Sequence, residues 1–274
     1  MNAPGHKIHV YYLSAACLAV ICTVLRALCF GLAFDADIGY FAVGAAMPVF
    51  VHVLEAVTVL AFFSLFFFVP KEAMPAAKPA AVPSPARRIL AALTALLFVL
   101  NFVEFCRINT GRGMPVALFV GGILFIPAAA AYFALPALGV TRRDLTVTLG
   151  VLAVLGVVSL VAFTYFDTFT PANAPHKTGL HLAFTAILFY LLYALRDAAG
   201  APMPRARAVA RLTAFFAAFT VGVSDLLAYP MGAFKDPTYL AQDLLLLALA
   251  VWIGAGTAAE AFALTAPDGK ERSK

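Results

Sequence analysis

Three side chains in the stretch FVLNFVEFCRINTGRG, residues 98–113, are of types that do chemistry: Asn101, Glu104 and Arg107. Their three-residue spacing sets an amide, a carboxylate and a guanidinium along one face of a helix. The purely apolar part of that helix, Ile89 to Leu100, reaches only about 18 Å at ~1.5 Å per residue. A hydrocarbon core of ~30 Å must therefore take in the polar part as well. Asn101 and Glu104 then lie at membrane depth, with Arg107 near its edge.

The same arithmetic places Arg26, Glu104, His181, Asp225 and Asp243 together, about 6 to 10 Å to one side of the midplane. His52 and Glu55, spaced i and i+3, fall between the midplane and that level. The other half offers only uncharged groups such as Ser14, Thr23, Thr148, Tyr190 and Tyr193 between its loops and this layer. An ionised side chain near mid-bilayer costs roughly 2.5 to 3.5 kcal/mol. A layer of them on several helices therefore predicts a polar cavity rather than contacts with lipid. Counted as ionised, Glu55, Glu104, Asp225 and Asp243 outnumber Arg26 by three. Burial and like-charge repulsion then favour protonated carboxyls or a bound cation.

Simpler roles stand beside these. Asn101 suits an interhelical hydrogen bond, His181 a solvated or hydrogen-bonded histidine, and Arg26 an ion pair with Glu55 or Glu104. Asp167, His176 and Lys177 read as loop polarity. Glu55, Glu104 and Asp225 carry the most functional weight, being deep and acidic.

The elements that must hold these residues follow from composition. Of 274 residues, 63% are hydrophobic and 12% charged, far from the balance of soluble domains. Eight apolar runs are long enough to span a bilayer, at about 10–33, 41–69, 89–108, 115–138, 146–166, 178–195, 212–229 and 238–262. The expected fold is all-α, a single transmembrane bundle with the lipid bilayer as its partner. The first run, with Gly31 and Ala33 as a conceivable small-residue cleavage site, is too long for a signal core and contains Arg26, so it reads as a helix.

Apart from Arg26, fourteen Lys and Arg fall in the segments on the side of the termini, against Arg107, Arg112, Lys177 and Lys235 on the other. By the positive-inside rule both termini face the cytoplasm and the polar layer faces outward. The net charge of +5 is this bias and calls for no nucleic acid. Tyr40, Tyr165, Tyr229 and Tyr239 at outer helix ends, and Tyr11 and Tyr12 at an inner one, read as interfacial anchors.

Two Ala- and Pro-rich segments, 71–88 and 196–211, read as flexible or extended connectors dividing the runs into two, four and two. Asp167 precedes Lys177 by ten residues and Asp225 precedes Lys235 by ten, with HLA and YLA following, which suggests related hairpins. Pro48 and Pro127 are expected to kink their helices. Cys17, Cys22, Cys29 and Cys106 show no CxxC or ligand spacing and read as small buried hydrophobes.

The function that follows best is binding or transport of a small cationic or proton-coupled solute in an outward-facing cavity lined by Arg26, His52, Glu55, Asn101, Glu104, Arg107, His181, Asp225 and Asp243. A sensor or assembly subunit, with the layer as a structural lock, is the alternative. A metal-dependent enzyme using His52, Glu55, Glu104 and His181 is weaker, because no HExxH or similar spacing is present. No cofactor motif stands out, and none is expected.

The segment YFDTFTPANAPHKTGLHLAFTAILFYLLYALRD, with Asn173, Pro175, Lys177, His181 and its LLYALR run, resembles a group of uncharacterised multi-spanning membrane proteins of anaerobic Firmicutes. The resemblance covers about a third of the chain. It implies a bacterial cytoplasmic membrane and brings no assigned activity.

The topology has a direct check. Single cysteines at Lys78 and Ala199 are expected to react with an impermeant reagent from the cytoplasmic side, and those at Asp37 and Ala174 from outside. The opposite labelling pattern would reverse the sidedness of the polar layer.

Overall fold

A computed structural model describes residues 4–70, 74, 84–109, 114–168, 170, 171 and 173–265. Eight helices among these are long and apolar enough to cross a membrane, and the chain is an integral membrane protein. They are α1 (Pro4–Leu32), α2 (Ala46–Phe63, continued by the single turn α3, Leu65–Phe68), α4 (Pro85–Asn109), α5 (Val116–Ala137), α6 (Arg143–Phe166), α7 (Pro175–Ala198), α8 (Pro204–Ala228) and α9 (Leu240–Thr265). A two-stranded hairpin pairs β1 (Phe34–Asp35) with β2 (Tyr40–Phe41), and a 3-10 turn, Pro237–Tyr239, leads into α9. Helices satisfy every backbone donor within the segment, which lipid demands. We call the end that carries the β-hairpin the hairpin end and the opposite one the terminus end.

Helices α4 to α9 pack in sequence, and α9 returns onto α4, closing a ring of six. Helix α1 lies outside this ring against α8, and α2 lies against α1. The ring is filled by phenylalanines and small residues, including Phe98, Phe105, Phe133, Phe163 and Phe184. A second apolar cluster joins α1 and α2 to α8 through Ala15, Ala19, Phe62, Leu65, Leu212 and Phe216. Helix α8 is thus enclosed on most sides, whereas α2 exposes Val49, Phe50, Val53, Val57 and Leu60. That exposed face is what lipid would cover.

Several boundaries differ from hydropathy. Helix α2 starts only at Ala46, after Gly44 at φ +81°. Pro48 therefore sits in the first turn, where a missing N–H costs nothing, and does not kink the helix. Pro127 does lie inside α5. The segment 196–211 is helical except for 199–203, where Gly200 at φ +82° ends α7 and Ala201 N–H bonds to the Arg196 carbonyl. It is a tight turn, not a flexible connector. Of 71–88, only Met74 and 84–88 are described, and Arg87 and Arg88 belong to α4. Lys78 and Arg112 lie outside the described residues, and Ala174 is buried, which leaves Asp37 as the accessible reporter at the hairpin end.

Close helix approach depends on glycine. A Cβ on Gly156 of α6 would lie 2.5 Å from the Phe125 carbonyl oxygen of α5 and 3.0 Å from the Ala129 Cβ. A carbonyl cannot rotate aside as a side chain can. Gly156→Ala is expected to lower stability by about 1 to 3 kcal/mol. Gly121→Ala, whose new Cβ meets nothing nearer than 3.7 Å, should melt close to the parent. Thermal unfolding in detergent measures both, and equal melting would remove α5–α6 contact as the constraint.

Candidate functional site

At the hairpin end, α1, α7, α8 and α9 bring four ionisable groups together. Asp225 of α8 and Asp243 of α9 are both 0% exposed, Arg26 of α1 is 3% and His176 of α7 is 6%. Arg26 Nε donates to Asp225 Oδ1 at 3.4 Å, and its Nη2 donates to the Pro175 carbonyl at 3.2 Å. Its Nη1 lies 3.9 Å from Glu55 Oε1 on α2. Beyond Asp225, His176 Nε2 lies 3.7 Å from Asp225 Oδ2 and 3.2 and 3.1 Å from the two oxygens of Asp243. Tyr229 completes the group, its hydroxyl donating to Asp243 Oδ2 at 3.2 Å.

Local sequence explains the convergence. Gly222, one turn before Asp225, would place a Cβ 3.0 Å from the Leu247 nitrogen and 3.2 Å from the Asp243 carbonyl oxygen, so its hydrogen lets α8 and α9 approach. Gly179 would place a Cβ 2.5 Å from Arg26 Nη2, so the guanidinium occupies space that a side chain would fill. Pro175 opens α7 at a position where its missing N–H is harmless, and its carbonyl is what Arg26 binds. The fully charged form of these buried groups is sustained only by such pairing and hydrogen bonding.

Aromatic residues close over the cluster. Phe234 stacks on His176 with ring centres 4.0 Å apart and planes 5° from parallel. Phe30, Phe34, Phe41 and Phe234 meet edge to face or tilted at 5.0 to 5.8 Å. Arg26 also lies over the Phe30 ring, 5.4 Å from its centre. Outside this cap, Lys235 binds Asp37 of the β-hairpin connection. Lys235 holds the Asp37 carboxyl below the usual carboxylate range. The pair therefore contributes at pH above the ordinary aspartate value and is lost as pH falls through the lowered one. Burial raises the Tyr229 hydroxyl well above the ordinary tyrosine range, with Asp243 adding to the shift, so it stays a proton donor.

The expected layer is therefore only partly one site. Arg26, Glu55, Asp225 and Asp243 converge, and His52 extends the line by a 3.2 Å contact to Glu55 while keeping its own side chain 49% exposed. Glu104 and Arg107 do not join: they bind each other across one helical turn at 2.7 Å, with side chains 27% and 64% exposed. Arg26 accordingly pairs with Glu55 and Asp225, not Glu104. Asn101 is buried and donates to the Leu97 carbonyl on its own helix and the Ala241 carbonyl of α9, at 2.9 and 2.7 Å. His181 faces the Tyr165 ring, and its Nε2 has no hydrogen-bond partner among the described residues. The set His52, Glu55, Glu104 and His181 is thus not assembled as a metal site, because Glu104 is held by Arg107 elsewhere.

Three residues read as loop polarity are buried instead. Pro175 starts α7 three residues before the hydropathic run, which carries His176 and Lys177 into the helix. Lys177 Nζ donates to the Asp167 carbonyl at 2.6 Å, and Tyr239 donates its hydroxyl to the Asp167 carboxylate. The sequence signal was the Pro at a helix start followed by His and Lys. The cluster at this end is buried beneath its aromatic cap. An apolar groove of about 220 Å³ lies towards the terminus end, lined by Phe63, Phe66, Phe189, Tyr193, Val209 and Thr213.

Removing Arg26 would leave Asp225 buried without its cation. Arg26→Ala is expected to cost about 3 to 5 kcal/mol, and Arg107→Ala, at an exposed ion pair, to melt close to the parent. Adding Asp225→Asn to Arg26→Ala should restore part of the loss. Denaturant unfolding in micelles tests the series, and equal midpoints for the two single variants would refute the pairing.

No known protein family, curated protein or solved structure matches this chain. Its function has to be read from the cluster itself.

Proposed function

We propose that the protein binds, and moves across a bacterial cytoplasmic membrane, a small cationic or proton-coupled solute at the Arg26–Asp225–His176–Asp243 cluster. The observation that carries this reading is an imbalance. Two fully buried carboxylates face one permanently charged cation, and Asp225 Oδ2 has no hydrogen-bond partner among the described residues. A buried acceptor left unmet costs free energy, and a cation is the species that removes that cost. The line from half-exposed His52 through Glu55 and Arg26 to Asp225 gives charged groups an unbroken sequence of contacts into the interior.

Sidedness is supported by charge. Arg87, Arg88, Arg142, Arg143, Arg196, Arg205, Arg207 and Arg211 gather at the terminus end, which the positive-inside rule assigns to the cytoplasm. The cluster then faces outward beneath its aromatic cap. The closed arrangement corresponds to an occluded state, and opening requires Phe234 to leave His176 and Lys235 to leave Asp37.

A structural lock is the competing reading, and Asn101 holding α4 to α9 favours it for that residue. The two readings separate in a stability screen. Inorganic and small organic cations, each at acidic and neutral pH, are expected to raise the melting temperature of the parent protein, and Asp225→Asn to abolish the rise while remaining folded. A parent and variant that respond identically to every cation and to pH would leave the lock as the function of the cluster.

A further inference from the structure

We infer that the cluster is a binding site for a divalent transition-metal ion, ligated by His176 Nε2, Asp225 Oδ2 and a carboxylate oxygen of Asp243. This inference rests on the cation reading and names the cation's class. The three residues each offer one ligand atom within 4.8 Å of the others, and all are buried. The distances are close to those a metal requires. Metal–nitrogen and metal–oxygen bonds of about 2.0 to 2.2 Å in a tetrahedral site hold donor atoms about 3.3 to 3.6 Å apart. His176 Nε2 lies 3.1 and 3.2 Å from the Asp243 oxygens and 3.7 Å from Asp225 Oδ2. His176 Nε2 is thus within a few tenths of an ångström of ligand spacing from both carboxylates, and the two carboxylate oxygens lie within 4.8 Å of each other.

A second observation points to the same place. Asp225 uses Oδ1 for both Arg26 and Ser224 and leaves Oδ2, wholly buried, with no hydrogen-bond partner among the described residues. Arg26 does not compete for the ligand oxygen. It and Ser224 orient the carboxylate from behind, as Tyr229 does for Asp243, in the manner of outer-shell partners that fix metal ligands. Charge agrees: with Glu55, Asp225 and Asp243 ionised, His176 neutral and Arg26 charged, the group carries two negative charges in excess, which one divalent ion cancels. One imidazole and two carboxylates suit Zn²⁺, Mn²⁺ or Fe²⁺. Ca²⁺ and Mg²⁺ prefer all-oxygen sites.

The test uses the full chain purified in detergent, stripped with chelator and titrated separately with Zn²⁺, Mn²⁺ and Co²⁺. About one equivalent is expected to bind per chain, with Co²⁺ giving the spectroscopic signature of nitrogen ligation. His176→Gln and Asp243→Asn are each expected to weaken binding at least ~10-fold, since even outer-shell losses reach that size. Glu104→Gln should leave binding unchanged. Absence of saturable binding by the parent, Co²⁺ bound without nitrogen, or unchanged affinity in both ligand variants would overturn the metal site. If the parent is then still stabilised by monovalent or organic cations and Asp225→Asn is not, the metal class fails and the cation reading stands. If no cation has any effect, both fall.

Discussion

Burial of the Asp225 carboxylate is the constraint around which the hairpin end is built. A carboxylate wholly withdrawn from water loses several kcal/mol of hydration even after local relaxation, and only close countercharge and hydrogen bonds offset that loss. Arg26 and Ser224 supply them on one oxygen. The consequences spread outward. Arg26 must come from a neighbouring helix, so α1 packs along α8; its guanidinium needs room on α7, so residue 179 is glycine. The aromatic cap of Phe30, Phe34, Phe41 and Phe234 keeps water from competing with the pair. Within so dry a site the pairing is stronger than it would be at a surface.

The same constraint explains why α8 sits at the centre. A helix that carries both Asp225 and the terminus-end arginines cannot turn those faces to lipid. At the terminus end Arg207 binds Asp197 at 2.7 Å and Arg211 binds Glu260. Contacts to α7 and α9 thus pair charges of α8 at both ends. Gly222 lets α9 approach closely enough for Asp243 to meet His176 alongside Asp225. The packing of the ring and the chemistry of the cluster are therefore one arrangement: glycines set the interhelical distances that place the charges.

Sequence reasoning reached the height of these residues but not their direction. Apolar length identifies eight spans, and rise per residue places Arg26, Asp225 and Asp243 at one level, because both quantities are local to a helix. Which neighbour each side chain faces depends on rotation about the helix axis. These helices are apolar nearly all round, so periodicity carries little information about that rotation. Glu104 and Arg107 were at the right depth and turned to each other across one helical turn; Asn101 was at depth and turned to the α9 backbone. His176 was missed for a different reason. Hydropathy starts the run at 178, whereas Pro175 starts the helix, and the three intervening residues include His176, a central member of the cluster. Reading Pro as a helix N-terminus would have found it.

The corner around Asp167 is held by a different set of partners from Asp225. Asp167 receives the Tyr239 hydroxyl and the Thr170 N–H on its carboxylate, while Lys177 donates to its carbonyl and to that of Thr170. Both donors to the carboxylate meet Oδ2, and with Lys177 they tie the end of α6 to α7 and to the turn that opens α9. Asp225 is more deeply buried, yet one of its oxygens faces a histidine nitrogen at 3.7 Å without a hydrogen bond. An ionised acceptor open beside an imidazole and a second carboxylate is costly, and either a proton on the carboxyl or a cation in the gap lowers that cost.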